Sequence, residues 1–258
     1  MTHGAVDGYS RLIPYLHCTT NNSASTVLNL FVQGCLQYGL PTRTRSDHGG
    51  ENIKVALLMN LIRGTEAHPT HHITGKSTHN QRIERMWRDV HQQVTRSFYE
   101  EFCSMEEIMG LNVDEPIHLF ALHYVYEPII NNHLNIFRNA WNSHKLRTAG
   151  HHSPEQIWID GMLENINSSH TAVTEHFDPT SSLLDSLEAG LSKYGLSLTN
   201  HNISENITEE AVVVPQTGIS LVNETRVELE IALTGVADRK QKVKIAVDKL
   251  SSYVHIHV

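Results

Sequence analysis

The residues around Asp47 constrain the fold more than any other part of this 258-residue chain. The segment 42–46 has β-branched residues at alternate positions, which predicts a short strand that ends just before Asp47. His48 and the two glycines after it predict a flexible turn. A helix from about Glu51 to Arg63 follows, because its apolar residues fall on one face. The sequence therefore predicts an acid at the C-terminal tip of a strand.

The residues before this segment predict a β-hairpin and a helix. One strand ends at Val6, Asp7 and Gly8 are typical of a tight turn, and a second strand runs from about Arg11 to Cys18. Polar residues at 19–25 offer N-caps for a helix whose apolar side chains continue to Tyr38. The order hairpin, helix, strand, helix indicates an α/β fold and not a helical bundle.

The later part of the chain is predicted to be mainly helical. Helical spacing begins at His79, and a further helical stretch, interrupted at Pro128, runs from about Ile117 to Trp141. The apolar stripe of the first of these helices consists of Ile83, Trp87, Val90 and Val94. We expect loop or disorder from about Asn165 to Val212. The pattern from Ile219 to Val258 leaves short strands and a weak helix as open alternatives.

Composition limits the class of protein. The chain is 40% hydrophobic and 19% charged, which is ordinary for a globular protein. No apolar run approaches the roughly 18 residues of a membrane-spanning helix, and the first ten residues are too polar for a signal peptide. We therefore expect an intracellular protein that does not contact membranes. The three cysteines form no C-x-x-C pair, which excludes a disulfide framework and a cysteine-based zinc site.

Four histidines between the predicted helices could suggest a metal cluster. They are His68, His71, His72 and His79. No cysteine or acid stands at ligand spacing beside them, so they are expected to be polar loop residues and no zinc is predicted.

Charge is unevenly distributed along the chain. Residues 1–158 carry 13 Lys and Arg against 14 Asp and Glu, a net −1, whereas residues 159–258 carry 7 against 14, a net −7. The overall −8 argues against a general nucleic-acid binder. The stretch from Lys76 to Arg96 is an exception, because it has five basic and two acidic residues. Charge alone leaves two interpretations open, a solvated helix face and a contact with nucleic acid.

Asp47 and Glu84 are the candidate catalytic and metal-binding residues, separated by 36 intervening residues. Phosphoryl-transfer enzymes with two metal ions bring carboxylates from different elements to one end of a sheet, and oxygen ligands suit Mg²⁺ or Mn²⁺. Asn80, Glu84 and Arg88 are spaced i, i+4, i+8 and form one row beside the apolar stripe. Taken alone, Glu84 is also typical of a surface ion-pair residue. Its combination with Asp47 favours the metal site.

Four segments resemble the integrase catalytic cores of retroviruses and LTR retrotransposons, the D,D-35-E family with a ribonuclease-H-like fold. RSDHGGEN (45–52) is similar to the segment around the family's second acid, and GKSTHNQRIER (75–85) to the segment that leads into the third. VDGYSR (6–11) resembles the family's second strand, and WNSHKLRTAGHHSPEQIW (141–158) the region that closes the core. The chain most resembles integrase-core proteins that animal genomes carry as relics of mobile elements.

The resemblance implies a three-layer fold with a mixed sheet over residues 1–160. The helical pattern adds a helical extension, and the composition and charge of residues 161–258 predict an acidic, partly disordered region. It implies Mg²⁺ or Mn²⁺ at Asp47 and Glu84, and DNA contacts from Lys76, Asn80, Arg85 and Arg88. It also implies a nuclear location and leaves a homo-oligomer open.

The first acid of the family has no counterpart in the sequence. The family has it on the first strand, one hairpin upstream of VDGYSR, so we expect an N-terminally truncated core whose sheet lacks its central strand and has two unpaired inner edges. Asp7 is a weak substitute, since its place before Gly8 explains it as a turn residue. Two functions stay open: a DNA strand-transfer enzyme, inactive or weakened as it stands, and a non-catalytic domesticated module that binds DNA or a protein.

Overall fold

The structure is a computed structural model that describes residues 1–64, 71–75, 80–167 and 217–254, together with residues 172, 173, 176, 185, 189 and 192. The elements in chain order are β1 Thr2–Gly4, β2 Leu16–Cys18, α1 Ala24–Tyr38, β3 Thr44–Ser46, α2 Ile53–Arg63, β4 His72–Thr74, α3 Gln81–Val90, α4 Arg96–Met109, α5 Pro116–Ser143, α6 Pro154–Glu164, α7 Asn223–Leu233 and α8 Arg239–Val254. A 3₁₀ turn at Gly50–Asn52 precedes α2, and a π-helical turn at His91–Thr95 joins α3 to α4.

The described strands form two separate two-stranded sheets and not one mixed sheet. β1 pairs antiparallel with β2, with His3 opposite His17, and β3 pairs parallel with β4, with Arg45 opposite Ile73. The mixed sheet is therefore corrected to two sheets, because no described strand hydrogen-bonds both to β1 and to β3. The α/β class and the hairpin are confirmed.

Two local predictions change in the structure. His72 is not a loop residue, since it opens β4, a strand too short to show any alternation in the sequence, whereas His71 lies in the bend before it. His68 and His79 lie outside the described residues. Pro128 does not interrupt α5, which continues through it. Proline removes one helical hydrogen bond, but the flanking Val125, Tyr126 and Leu134 are buried, and their packing offsets that cost.

Helix α5 closes the outer edge of the hairpin with two asparagine side chains. Asn142 Oδ1 accepts from Ile13 N at 2.8 Å and its Nδ2 donates to Ile13 O at 3.0 Å. Asn131 does the same for Cys18, at 2.7 and 2.9 Å. The two asparagines are eleven residues apart on α5 and bind residues five apart in and before β2, so the helix runs alongside this part of the hairpin. The amides thus replace the neighbouring strand that this edge lacks.

Apolar side chains gather in two clusters. α1 and α2 share one, which includes Phe31, Leu58 and Met59. The larger cluster joins β2 and α3–α5 to α7 and α8, which bury four side chains in it: Leu229, Val243, Ala246 and Leu250. Residues 223–233 and 239–254 are thus helical, which decides the open choice for this part of the chain in favour of helix. The predicted loop at 165–212 lies almost wholly outside the described residues, and the division of the chain at residue 160 stays a prediction.

Replacing Asn142 by Ala is expected to lower the free energy of unfolding by about 2–4 kcal/mol, because the buried N–H and C=O of Ile13 both lose their partner. Urea unfolding measures this change. Asn132→Ala is the matched control, since Asn132 is exposed on the same helix. Equal stabilities of the two variants would contradict the bridging role of Asn142.

Candidate active site

Asp47 lies where the parallel pair ends. Gly75, which follows β4, donates its N–H to the carbonyl of Ser46 at 3.1 Å, so the two strands finish side by side. The Asp47 side chain is exposed, and its Oδ1 accepts a hydrogen bond from Asn52 Nδ2 at 3.3 Å. The predicted position of Asp47 at a strand tip is therefore what the structure has.

Glu51 is a second carboxylate at this place that the sequence analysis assigned only to the start of a helix. The same Asn52 amide nitrogen donates to Glu51 Oε1 at 3.1 Å, so one side chain links the two acids. The carboxylate of Glu51 folds over Gly49, where a Cβ would overlap it. This contact explains the glycine, and the Gly-Gly pair before Glu51 is the signal that marks the position in the sequence.

His3 of β1 lies within the electrostatic reach of Glu51. Burial lowers the pKa of His3, while a hydrogen bond to the carbonyl of Asn21 and the charge of Glu51 oppose that shift. The N-terminal strand and the turn after β3 are therefore close enough for their charges to interact.

Helix α3 carries the other predicted site residues on its exposed side. Asn80 precedes the helix without a side-chain capping bond, and Glu84 and Arg88 are exposed. Arg85 Nε lies 3.3 Å from Asp89 Oδ2 in a surface pair. The predicted apolar stripe needs one correction: Met86 is fully buried, while Ile83 and Trp87 are half-buried. Met86 lies in the larger apolar cluster, and the Trp87 ring lies beside Gly4 of β1.

Only a short connection separates β4, which ends beside Asp47, from α3, which carries Glu84. β4 ends at Thr74, and α3 begins at Gln81, seven residues along the chain. Lys76 and its neighbours through residue 79 lie outside the described residues. Within the ranges that the structure describes, no group of three or more His, Cys, Asp and Glu side chains is arranged to hold a metal ion. The shared site of Asp47 and Glu84 stays a prediction.

The donor atoms at this edge fit a hard divalent cation. Asp47 and Glu51 offer carboxylate oxygens beside the Asn52 side chain, and no sulfur lies among them. Oxygen donors of this kind suit Mg²⁺ and Mn²⁺. The donor atoms of the site are therefore of the type that these ions prefer, although the described side chains do not surround a common point.

Asp7 is occupied by its own turn. Its Oδ2 accepts hydrogen bonds from Tyr9 N at 3.1 Å, Ser10 N at 2.7 Å and Ser10 Oγ at 2.7 Å. Three donors on one carboxylate oxygen satisfy much of its capacity to accept. This is the geometry of an aspartate that stabilises a turn.

Residues 1–172 match the family model described as "Integrase core domain". Neither the curated proteins nor the solved structures contain a match to this chain. Among the described helices, none combines the length and the apolar character needed to cross a bilayer.

Replacing Asp7 by Ala is expected to lower the free energy of unfolding by about 1–3 kcal/mol, since three donors lose their acceptor. Asp7→Asn, which keeps an acceptor oxygen, is expected to cost less. Chemical denaturation gives both values, and Mn²⁺ titration of the same variants is expected to match the unsubstituted protein. If Asp7→Asn kept its stability and lost Mn²⁺ binding, Asp7 would be a metal ligand.

Proposed function

This chain belongs to the integrase core domain family, and from that premise we propose that it is a mobile-element-derived DNA integration protein that contacts DNA through the exposed side of α3. The proposal includes a ribonuclease-H-like three-layer arrangement of its core and a nuclear location, where its DNA substrate is found. Self-association is part of the proposal as an open alternative.

One observation carries the proposal beyond the family match. The hydrogen bond from Gly75 N to Ser46 O holds the carboxyl ends of β3 and β4 together. Asp47 follows one of these ends directly, and the connection to Asn80 and α3 leaves from the other. The five residues from Gly75 to Asn80 reach at most about 18 Å, which limits how far the start of α3 can lie from the end of β4.

Each residue has a role in this proposal. Asp47 and Glu84 hold divalent metal, and Asn80, Arg85 and Arg88 bind phosphate oxygens, with Lys76 as a further contact. When bound, Mg²⁺ or Mn²⁺ would activate the attacking oxygen and stabilise the leaving oxygen of a strand-transfer reaction. The chain itself orients the phosphodiester, because the guanidinium groups of Arg85 and Arg88 offer paired donors to its oxygens.

The pair of Arg85 with Asp89 does not prevent a DNA contact. The Arg85 side chain is 68% exposed, and an i, i+4 pair of this kind contributes only about 0.3–0.5 kcal/mol. A phosphate group competes easily with a partner held so weakly. In the proposal, Asp89 orients the Arg85 side chain and leaves its guanidinium group able to bind phosphate.

A second function, a non-catalytic DNA- or protein-binding module, has one observation in its favour. The described residues bring Asp47 close to Glu51 and Asn52, but they form no group of three ligands around a common point. Under this alternative the arginines of α3 still bind phosphate. The acidic charge of residues 159–258 then discourages non-specific contact with DNA.

We expect Arg85→Ala and Arg88→Ala each to weaken duplex DNA binding to a similar degree for every sequence, and to reduce the slope of log K against log [salt] by about one. Fluorescence anisotropy at several salt concentrations measures both quantities. Arg226→Ala is the control, because Arg226 is also an exposed arginine and lies on α7. If the unsubstituted protein shows no affinity for DNA at low salt, DNA binding is excluded, and only a protein partner is left as a binding function.

We expect Asp47→Asn and Glu84→Gln to abolish Mn²⁺-dependent joining of DNA ends while DNA affinity stays equal or rises, because each change removes a negative charge that repels phosphate. A strand-transfer assay with labelled oligonucleotides tests this. Joining that depends on both acids supports the enzyme. DNA binding by all three proteins without any joining supports the non-catalytic module.

A further inference from the structure

The imidazole of His72 bridges two hydroxyl groups of the neighbouring strand. Its Nδ1 lies 2.8 Å from Thr44 Oγ1, and its Nε2 lies 3.0 Å from Ser46 Oγ. Thr44 and Ser46 are two residues apart on β3 and so project from the same face, the face on which His72 of β4 lies. Arg43, Arg45 and Asp47 alternate with them and project from the other face.

The direction of each hydrogen bond follows from the number of protons. The hydroxyl of Ser46 donates its only proton to the carbonyl oxygen of Asp47, at 2.8 Å. Ser46 Oγ must therefore accept from His72, so Nε2 carries the ring proton. In the neutral ring Nδ1 is then an acceptor, and Thr44 donates to it. One continuous chain of donors runs from Thr44 through His72 and Ser46 to the carbonyl of Asp47.

Both peptide groups around Asp47 are thereby tied to β4. The carbonyl of Ser46 accepts from Gly75 N at 3.1 Å, and the carbonyl of Asp47 accepts from the hydroxyl that His72 holds. We propose that His72 is a positioning residue, which fixes the end of β3 through Ser46 and so orients the Asp47 carboxylate. The inference rests on the proposed function only in giving that carboxylate a metal to bind.

The surroundings of His72 favour the neutral ring that this chain of donors requires. Burial lowers the pKa of His72 below its ordinary value. The ring is half-buried between two hydroxyl-bearing residues. The arrangement is thus complete with one ring proton, and a second proton on Nδ1 would turn the Thr44 hydroxyl from donor to acceptor.

Four variants separate the two ends of the bridge. His72→Gln places an amide donor near the Nε2 position and keeps the link to Ser46, whereas His72→Asn keeps an acceptor near Nδ1 and loses that link. Ser46→Ala removes the same link from β3. Thr44→Val is the matched control, because it removes the other partner of the ring and keeps the β-branched shape of a strand residue.

The first measurement uses no metal. Nitrogen NMR of the full chain is expected to show neutral His72 with its proton on Nε2, and hydrogen exchange reports Gly49 N–H, which contacts Asp47 Oδ1, and Gly75 N–H. Exchange of both amides is expected to be about 5–10-fold faster in Ser46→Ala and His72→Asn, and within twofold of the unsubstituted protein in His72→Gln and Thr44→Val. A proton on Nδ1, or equal exchange rates in all five proteins, would overturn the proposal.

The second measurement connects the inference to the site. Mn²⁺ affinity is expected to fall about 5–10-fold in Ser46→Ala and in His72→Asn, and to stay within twofold of the unsubstituted protein in His72→Gln and Thr44→Val. The double variant that combines Ser46→Ala with His72→Asn is expected to bind Mn²⁺ as well as either single variant, because both changes remove the same link. Thermal unfolding separates this from a loss of stability, which would affect Thr44→Val equally. If Mn²⁺ binding does not depend on Asp47, the proposed function fails. The tautomer of His72 and the exchange rates of the two amides then still test whether His72 positions the end of β3. Asp47-dependent binding that is equal in all variants refutes the positioning role.

Discussion

Side-chain amides of helix α5 hydrogen-bond the backbone along one edge of the hairpin, and this contact determines how most of the molecule is assembled. A two-stranded hairpin exposes backbone donors and acceptors on both sides and is marginal by itself. Asn131 and Asn142 supply the missing partners of Cys18 and Ile13, so the edge of β2 can be buried under a helix. Once α5 lies along β2, its other faces are available for α4, α7 and α8, which complete the larger apolar cluster. The hairpin and the C-terminal helices therefore depend on the same 28-residue helix.

The site has a different kind of support. β3 and β4 contribute three residue pairs, and neither strand contains a residue from the buried apolar core. What holds the end of β3 is polar: the Gly75 bond, the His72 bridge and the Asn52 amide between two acids. Polar networks of this type specify geometry more than they add stability. A large helical core thus carries a small parallel pair whose shape depends on individual hydrogen bonds.

Local patterns predicted most of the elements that carry the site, but they predicted neither β4 nor the long-range contacts. The hairpin, the helix ending at Tyr38 and the strand before Asp47 follow from turn chemistry and periodicity over a few residues. β4 was missed because its three residues, between His71 and Gly75, are too few to show an alternation of polar and apolar side chains. The Asn142 contact joins residues 129 positions apart, and asparagine in a helix has no sequence signal for such a bond. Glu51 was overlooked for a related reason, since only the folded turn brings it beside Asp47.

The side chains of residues 43–47, in and around β3, alternate between the two faces of the strand and have a different role on each face. Thr44 and Ser46 project to one side and bind His72, while Arg43, Arg45 and Asp47 on the other side are exposed. Arg45 on β3 and Arg43 just before it therefore project on the same side as the acid. A phosphate chain near Asp47 would otherwise meet only repulsion from this carboxylate and that of Glu51. Arg43 and Arg45 precede Asp47 by four and two residues, so in the proposed DNA contact the strand that presents the acid also carries charges that offset this repulsion.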